Sequence, residues 1–166
     1  MAPQVPVQRT TSSKVPFFHN GSEITPLADY SIEAKVLSRK NYRGRGSKVC
    51  PIDFALGWGK MSDESILAHF DISQSGRFYR WSTSQYPIPR GEIIASSANV
   101  HLIPANEGIE SILDSIKTGQ IVYLEGKLVK VRSDDGWEAV SSLTREDSGG
   151  GACEVMYVEI AFQTNL

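Results

Sequence analysis

Cysteine and histidine are the residue types in this chain whose chemistry could support covalent catalysis. A thiolate nucleophile needs a base within hydrogen-bond reach, and often a carboxylate that orients the base. Cys153 follows a run of three glycines whose backbone N–H groups could be exposed. His101 is the candidate base, and Asp147 or Glu154 is the candidate carboxylate. No established family signature surrounds Cys153, so the alternative is that both side chains only pack in strands.

Basic and aromatic residues form a second group, which could bind an anionic ligand by charge and ring stacking. OB barrels, which are small Greek-key β-barrels, bind single-stranded nucleic acid in this way. The alternative is a solvated basic loop beside a structural aromatic strand. The candidate ligand-binding residues are Arg39, Lys40, Tyr42, Arg43, Arg45, Lys48, Arg77, Tyr79, Arg80 and Trp81.

The distribution of charge disfavours nucleic acid as the ligand. The chain of 166 residues has 17 Lys and Arg against 19 Asp and Glu, a formal net charge of -2. Residues 1–50 carry eight basic and three acidic residues, a net charge of +5. The remainder carries nine basic and sixteen acidic residues, a net charge of -7. Because an acidic domain repels phosphates, a protein partner is favoured.

The sequence gives no reason to expect a metal or a cofactor. The acidic pairs Asp134–Asp135 and Glu146–Asp147 lack the spacing of a calcium loop. The sequence has no C-x-x-C pair, no phosphate-binding glycine loop and no nucleophile elbow. Cys50 and Cys153 are expected to be free thiols, and a single disulfide between them is the alternative.

The first half of the chain predicts strands separated by loops. Residues 1–28 are rich in proline and predict an extended segment, so the domain is expected to begin near residue 29. Tyr30–Leu37 alternates apolar and polar residues, as half-buried strands do. A basic loop follows at 39–48, and 51–60 predicts a short helical turn. Ser62 is a candidate helix cap.

The second half predicts five further strands, one of them the hairpin return at 137–143, and one helix. Residues 75–81 and 92–103 are rich in strand formers. Asn106 caps a predicted helix with apolar residues at i, i+3, i+4 and i+7, which ends before Gly119. The strand at 120–131 is expected to contain a bulge near Gly126. A hairpin turn at 133–136 and a last strand at 153–162 complete the chain.

This order of elements predicts a mainly β fold. Three strands, a helix and a hairpin favour an OB-like Greek-key β-barrel, with an α+β sandwich as the alternative. The expected organisation is an extended segment at 1–28 and a single barrel domain at 29–166, with an insertion at about 40–72.

Five stretches of the sequence together carry a resemblance to known proteins: Pro51–Asp63, Ile72–Trp81, Ser97–Pro104, Gly119–Val129 and Ser141–Glu154. Through them the chain resembles a family of uncharacterised bacterial proteins, many of which carry an N-terminal membrane segment. The resemblance covers roughly residues 30–160 and implies no activity and no catalytic residues. It implies that the chain is a soluble member or the soluble part of a membrane-anchored envelope protein.

The leading hypothesis from the sequence is a non-enzymatic binding or assembly module. Its ligand is expected to be another protein or an envelope component. A hydrolase or transferase that uses Cys153 and His101 is the first alternative. A single-stranded nucleic-acid binder is the second. No apolar run in the sequence is long enough to cross a bilayer.

Overall fold

A computed structural model describes residues 1–145 and 152–164. Strands account for 49% and helices for 15% of the residues, so the prediction of a mainly β fold is confirmed. The helices are a 3₁₀ helix (Gly59–Ser62), α1 (Glu64–Leu67), α2 (Arg90–Ala95) and α3 (Glu107–Ser115). The strands are β1 (Val7–Arg9), β2 (Phe17–His19), β3 (Ser22–Asn41), β4 (Ile52–Gly57), β5 (Asp71–Ser75), β6 (Phe78–Ser82), β7 (Ser97–Pro104), β8 (Ile121–Ser133), β9 (Glu138–Val140) and β10 (Glu154–Thr164).

Eight strands form one mixed sheet. The pairing order is β1-β3-β4-β7-β10-β8-β9, and β2 also pairs with β3. Because β3 pairs with β8 as well, the pairings of β3, β4, β7, β10 and β8 lead back to β3 in a barrel-like ring. The pairing of β7 with β10 is parallel, and the other pairings in this ring are antiparallel. The hairpin β5–β6 stands apart as a second sheet.

The long strand β3 begins earlier than the sequence indicates. It starts at Ser22, inside the segment 1–28 that was expected to precede the domain, and its buried residues alternate with half-buried ones. Pro26 lacks an N–H group, and the register with β8 shifts between Pro26 and Ala28. The proline is therefore accommodated beside a bulge, and the strand continues through it.

Two predicted elements differ in the structure. Residues 52–57, predicted as part of a helical turn, form β4, so the expected insertion at about 40–72 contains a strand of the ring. A short apolar run that is buried on both faces has no periodicity that separates strand from helix. The predicted strand at 92–103 is divided between α2 and β7. The cap of α1 is Asp63, not Ser62, and its side chain accepts from the backbone N–H of Ser65.

The predicted cap of α3 is confirmed, because the Asn106 side chain accepts from the N–H of Ile109 at 2.9 Å. The bulge predicted in β8 near Gly126 lies instead in the partner strand, where the register of β10 shifts between Val158 and Ile160. The backbones come very close at Gly126, where a Cβ atom would lie 1.9 Å from the carbonyl oxygen of Tyr157. A residue with a side chain would not fit at position 126.

The ring strands present two different faces. One face carries Phe54, Val100 and Met156 and forms the main hydrophobic core, which α3 covers with Ile109 and Leu113. Side chains alternate between the faces along a strand. The neighbours of these core residues therefore point to the other face, which the hairpin β5–β6 and the loop at 42–51 approach.

Candidate active site

Strand register brings Asp53, His101 and Cys153 to the same face of the sheet. Asp53 in β4 is directly opposite His101 in β7. Val155 in β10 is the parallel partner of His101. Cys153 lies two residues before Val155, and residues two apart in an extended chain share a face. Cys153, His101 and Asp53 therefore lie side by side across three neighbouring strands.

A carboxylate and a thiol flank His101 on the two neighbouring strands. His101 Nδ1 lies 2.9 Å from Asp53 Oδ2, and the Asp53 side chain is fully buried. Cys153 approaches His101 from β10, on the other side of β7 from Asp53. Because Nδ1 faces Asp53, Nε2 is the ring nitrogen that remains for the thiol. This is the order of carboxylate, imidazole and nucleophile that covalent catalysis uses.

The surroundings of His101 favour its protonated form. Burial lowers the pKa of His101, but hydrogen bonds and charge from Asp53 and Cys153 raise it more, to about 9. The imidazole is therefore positively charged at neutral pH.

The Asp53 carboxylate is held by two further groups. Arg77 Nη1 lies 2.9 Å from Asp53 Oδ1, and Asn99 Nδ2 donates to Asp53 Oδ2 at 3.2 Å. Gln74 Nε2 in turn donates to Asn99 Oδ1 at 2.8 Å. A buried carboxylate needs such partners, because burying an unpaired charge is costly. These bonds fix the orientation of Asp53 and, through Asp53, that of His101.

Arg77 reaches the site from the turn of the β5–β6 hairpin. The two turn residues, Gly76 and Arg77, have φ values of 58° and 67°. Two successive positive φ values define a type I′ turn, which matches the twist of a two-residue hairpin. The Arg77 guanidinium lies over the rings of Tyr42, at 4.3 Å, and Trp137, at 5.2 Å, and it donates to the carbonyl of Cys50 at 2.8 Å.

Cys153 opens into a cavity of about 540 Å³, whereas His101 and Asp53 lie behind it. Its thiol is 3.9 Å from Asn99 Nδ2 and 3.7 Å from the carbonyl oxygen of Arg77. A volume of this size is typical of sites for small molecules or single chain segments. The lining of the same cavity also includes Tyr79, Arg80, Trp81, Tyr86 and Arg90.

The second cysteine is not equivalent to the first. Cys50 is fully buried, and burial together with the nearby Asp53 charge raises its pKa. Arg77 Nη1 lies 3.6 Å from its sulfur atom. Both cysteines are free thiols, and only Cys153 lines the cavity. Cys50 is thus a packed thiol that is kept in its neutral form.

The structure divides the predicted ligand-binding residues into two groups. In the loop group, Arg39 donates to the last carbonyls of α3 and Lys40 donates to the carbonyl of Gln74. Arg45 donates to the carbonyl of Gly136, and Lys48 pairs with Asp134 at 3.7 Å. Tyr42 accepts from the N–H of Arg77, and Arg43 is exposed.

In the second group, the residues of β6 and its turn lie at the site. Arg77 belongs to the buried network, whereas Tyr79, Arg80 and Trp81 line the cavity. The two groups do not form the single basic and aromatic groove that was expected. Four members of the loop group instead bind carbonyls and carboxylates of their own domain; these are Arg39, Lys40, Arg45 and Lys48.

The carboxylate of the site is one that the sequence analysis did not select. Asp147 lies outside the described residues. Glu154 points to the opposite face from Cys153, because successive strand residues point in opposite directions. There it is buried and pairs with Arg145. Asp53 takes this position. Its signal in the sequence is a lone acidic residue within the apolar run Ile52–Leu56.

Among residues 1–145 and 152–164, no three His, Cys, Asp or Glu side chains are grouped to hold a metal ion. None of the helices in this described part of the chain has the length and apolar composition that crossing a bilayer requires. The fold and the site together define a mainly β domain with a Cys–His–Asp arrangement at a cavity. Comparisons of the chain with protein-family models, curated proteins and solved structures found no match.

Proposed function

We propose that this protein is a cysteine-dependent hydrolase or acyltransferase. In this proposal Cys153 is the nucleophile, His101 the general base and acid, and Asp53 the residue that orients His101. The single observation that carries the proposal is the contiguous Asp53–His101–Cys153 arrangement, whose thiol opens into a cavity. Of the functions considered from the sequence, it favours the Cys/His enzyme over the non-enzymatic module, which stays a prediction.

The proposed reaction proceeds through an acyl-enzyme. The Cys153 thiolate attacks the acyl carbon, and a C–S bond forms as the bond to the leaving group breaks. The His101 imidazolium gives its proton to the leaving group. Water, or an acceptor alcohol or amine, then attacks the thioester while His101 takes its proton. The acyl product leaves, and the thiolate–imidazolium pair is restored.

Arg77 and Asn99 act in this proposal as positioning residues. Both bind Asp53, and Asp53 binds His101, so neither needs to touch the substrate. Their bonds hold the His101 ring in one orientation. Correct placement of a base is worth several orders of magnitude in rate, because misorientation removes it from proton-transfer distance.

The scaffold supports the same location for a ligand. If β3, β4, β7, β8 and β10 are counted as strands one to five, their ring order is 1-2-3-5-4, with α3 between the third and the fourth. This order supports the predicted OB-like barrel. OB folds bind ligands on the outer face of their second and third strands. Asp53 and His101 lie on those two strands.

The experiment that tests the proposal measures the reactivity of Cys153. The purified chain is treated with iodoacetamide between pH 5 and 9, and the labelled cysteine is identified by mass spectrometry. We expect labelling at Cys153 that is faster than that of free cysteine at pH 6, and we expect His101→Gln to abolish the excess. Cys50→Ala is the matched control and should not change the rate.

A second experiment measures whether the chain catalyses ester hydrolysis. The chain should hydrolyse 4-nitrophenyl esters in a reaction that Cys153→Ala and Cys153→Ser abolish and Cys50→Ala preserves. Labelling of Cys153 no faster than that of free cysteine, together with ester hydrolysis that persists in Cys153→Ala, would overturn the proposal. The non-enzymatic binding module would then be the favoured function.

A further inference from the structure

The two arginines that line the cavity differ in their ion pairing from other arginines that approach the sheet. Arg77 and Arg145 pair with buried carboxylates, and Arg132 pairs with Glu138. Arg80 and Arg90 both line the cavity, and no carboxylate of the described residues lies within 4.0 Å of either guanidinium. Arg80 Nη1 donates to Ser75 Oγ. Two arginines without an ion pair among the described residues therefore line the cavity that Cys153 also lines.

Aromatic rings surround these two charges. The Arg90 guanidinium lies 5.9 Å from the centre of the Trp81 ring, and Tyr86 packs edge-on against Trp81 at 6.1 Å. Trp81 also contacts Phe70 edge-on at 5.7 Å, which limits its movement. The rings offer apolar surface to the body of a ligand, and the guanidinium groups offer paired N–H donors to an anionic end.

Tyr79 adds a neutral polar group to the wall. Burial raises the pKa of Tyr79 to about 12, so its hydroxyl stays protonated at neutral pH. Its hydroxyl lies 3.4 Å from Ser97 Oγ, and both residues line the cavity. The hydroxyl therefore does not add a negative charge that would oppose the two arginines.

From this wall we infer that the substrate is an ester, thioester or amide that carries a carboxylate or phosphate group on a carbon-rich body. This inference rests on the proposed function and names the substrate class of the same site. The electrophilic carbonyl is placed at Cys153, the anionic group is held by Arg80 and Arg90, and the apolar body lies against Trp81 and Tyr86.

The contrast between an acidic domain and a cavity lined by two arginines supports this assignment. Residues 51–166 carry nine basic and sixteen acidic residues, yet the described wall of this cavity holds two arginines. An acidic domain lowers the local concentration of anions unless a site provides a compensating positive field. Two arginines that have no ion pair among the described residues, and that line the same cavity as the candidate nucleophile, provide such a field in one place.

The test uses matched esters of equal chain length on the full chain. One ester is 4-nitrophenyl hexanoate, the second carries a terminal carboxylate in place of the last methyl group, and the third carries a terminal phosphonate. We expect kcat/KM for the anionic esters to exceed that for the neutral one by about tenfold or more, because charged hydrogen bonds are lost in the neutral ester. The better of the two anionic esters identifies the preferred anion.

Two variants of the wall and one control sharpen the result. Arg80→Gln and Arg90→Gln should each reduce the preference for the anionic esters, measured as the ratio of kcat/KM for the anionic ester to that for the neutral ester, by about tenfold. Arg43→Gln removes an exposed arginine outside the cavity and should change neither value. Equal preference in the wild type and in both wall variants would overturn the inference.

A second readout does not depend on turnover. Iodoacetate and iodoacetamide alkylate the same thiol and differ in charge, so the ratio of their rates at Cys153 reports the local field. We expect Arg80→Gln and Arg90→Gln to lower this ratio and Arg43→Gln to leave it unchanged. An unchanged ratio in the wall variants contradicts the inference, even where fast labelling of Cys153 supports the proposed function. Slow labelling that does not depend on His101 contradicts the proposed function itself.

Discussion

The two faces of the strands β4, β7 and β10 are built from the same backbone and differ in chemistry around the candidate site. The inner face presents Phe54, Val100 and Met156, which are fully buried within the main hydrophobic core. The outer face presents Asp53 and His101, which are buried as well, at 0% and 6% exposure. Burial alone therefore does not distinguish a packing residue from a candidate catalytic residue in this domain.

The faces differ in how their residues depend on one another. An apolar side chain on the inner face is stabilised by many weak contacts, so a slightly smaller residue is partly accommodated. The polar residues of the outer face are held by a few directional contacts. A single carboxylate, that of Asp53, contacts Arg77, Asn99 and His101. Removal of one member leaves the others buried without a partner. We therefore expect mutations on the two faces to affect stability and thiol reactivity differently.

The largest expected effect is on the rate at Cys153. His101→Gln keeps the polar character of the outer face but removes the base, and it should lower the rate of 4-nitrophenyl ester hydrolysis by about 10²- to 10⁴-fold. Leu102→Met, the next residue on the inner face, conserves volume and should leave the rate within about twofold. Both rates are measured on protein whose circular dichroism spectrum matches the wild type. Equal rates for the two variants would contradict the proposed role of His101.

The next effect separates stability from reactivity. Asp53→Asn removes the charge that pairs with Arg77 and His101, and breaking such a buried pair costs about 3–5 kcal/mol of unfolding free energy. Phe54→Leu, its neighbour on the inner face, should cost about 1–2 kcal/mol. Urea unfolding measures both. Iodoacetamide labelling of Cys153 should slow in Asp53→Asn and stay unchanged in Phe54→Leu.

The titration of His101 predicts a pH dependence that only the outer face produces. The pKa of His101 is raised from 6.5 to about 9, so the folded state binds this proton more tightly than the unfolded state. Its contribution, roughly 3 kcal/mol, is complete below pH 6.5, declines between pH 6.5 and 9, and is absent above that range. Urea unfolding from pH 6 to 9.5 measures it. The decline should be smaller in His101→Gln, and an equal decline would exclude His101 as its source.

The smallest expected effect concerns the basic loop that covers the outer face. Arg45→Gln removes an exposed hydrogen bond to the carbonyl of Gly136 and should cost at most about 1 kcal/mol. Labelling of Cys153 should be unchanged, because Arg45 does not line the cavity. A large change in labelling would show that the loop belongs to the site, and the contrast between loop and cavity arginines would then fail.

The sequence predicted the features that depend on local signals. The helix α3 was predictable because Asn106, the apolar spacing and Gly119 agree with one another. The hairpin turn at 133–136 carries its own turn residues. By contrast, β4 was predicted as a helical turn, because a continuous apolar run has the same composition in either form. Its assignment depends on the neighbouring strands β3 and β7.

The candidate site was predictable only in part, for a physical reason. Cys153 and His101 were selected because their side chains are chemically distinctive. Asp53 lies 48 positions from His101 in the sequence, and only the antiparallel pairing of β4 with β7 places them opposite one another. Arg77 was expected to bind a ligand, but the positive φ of the hairpin turn directs it to Asp53. Such relations depend on register, which composition and spacing do not encode.

The parallel pairing of β10 with β7 has a consequence for how the protein is made. Chains are synthesised from the N-terminus, and β10 is the last of the described strands to emerge. A nascent chain can contain Asp53, His101 and the cavity wall and still lack the sulfur atom that would react. The thiol meets its imidazole only when β10 docks between β7 and β8. Under the proposed function, a chain could therefore react with a substrate only after β10 has docked. Chains that lack β10 would not carry out the reaction.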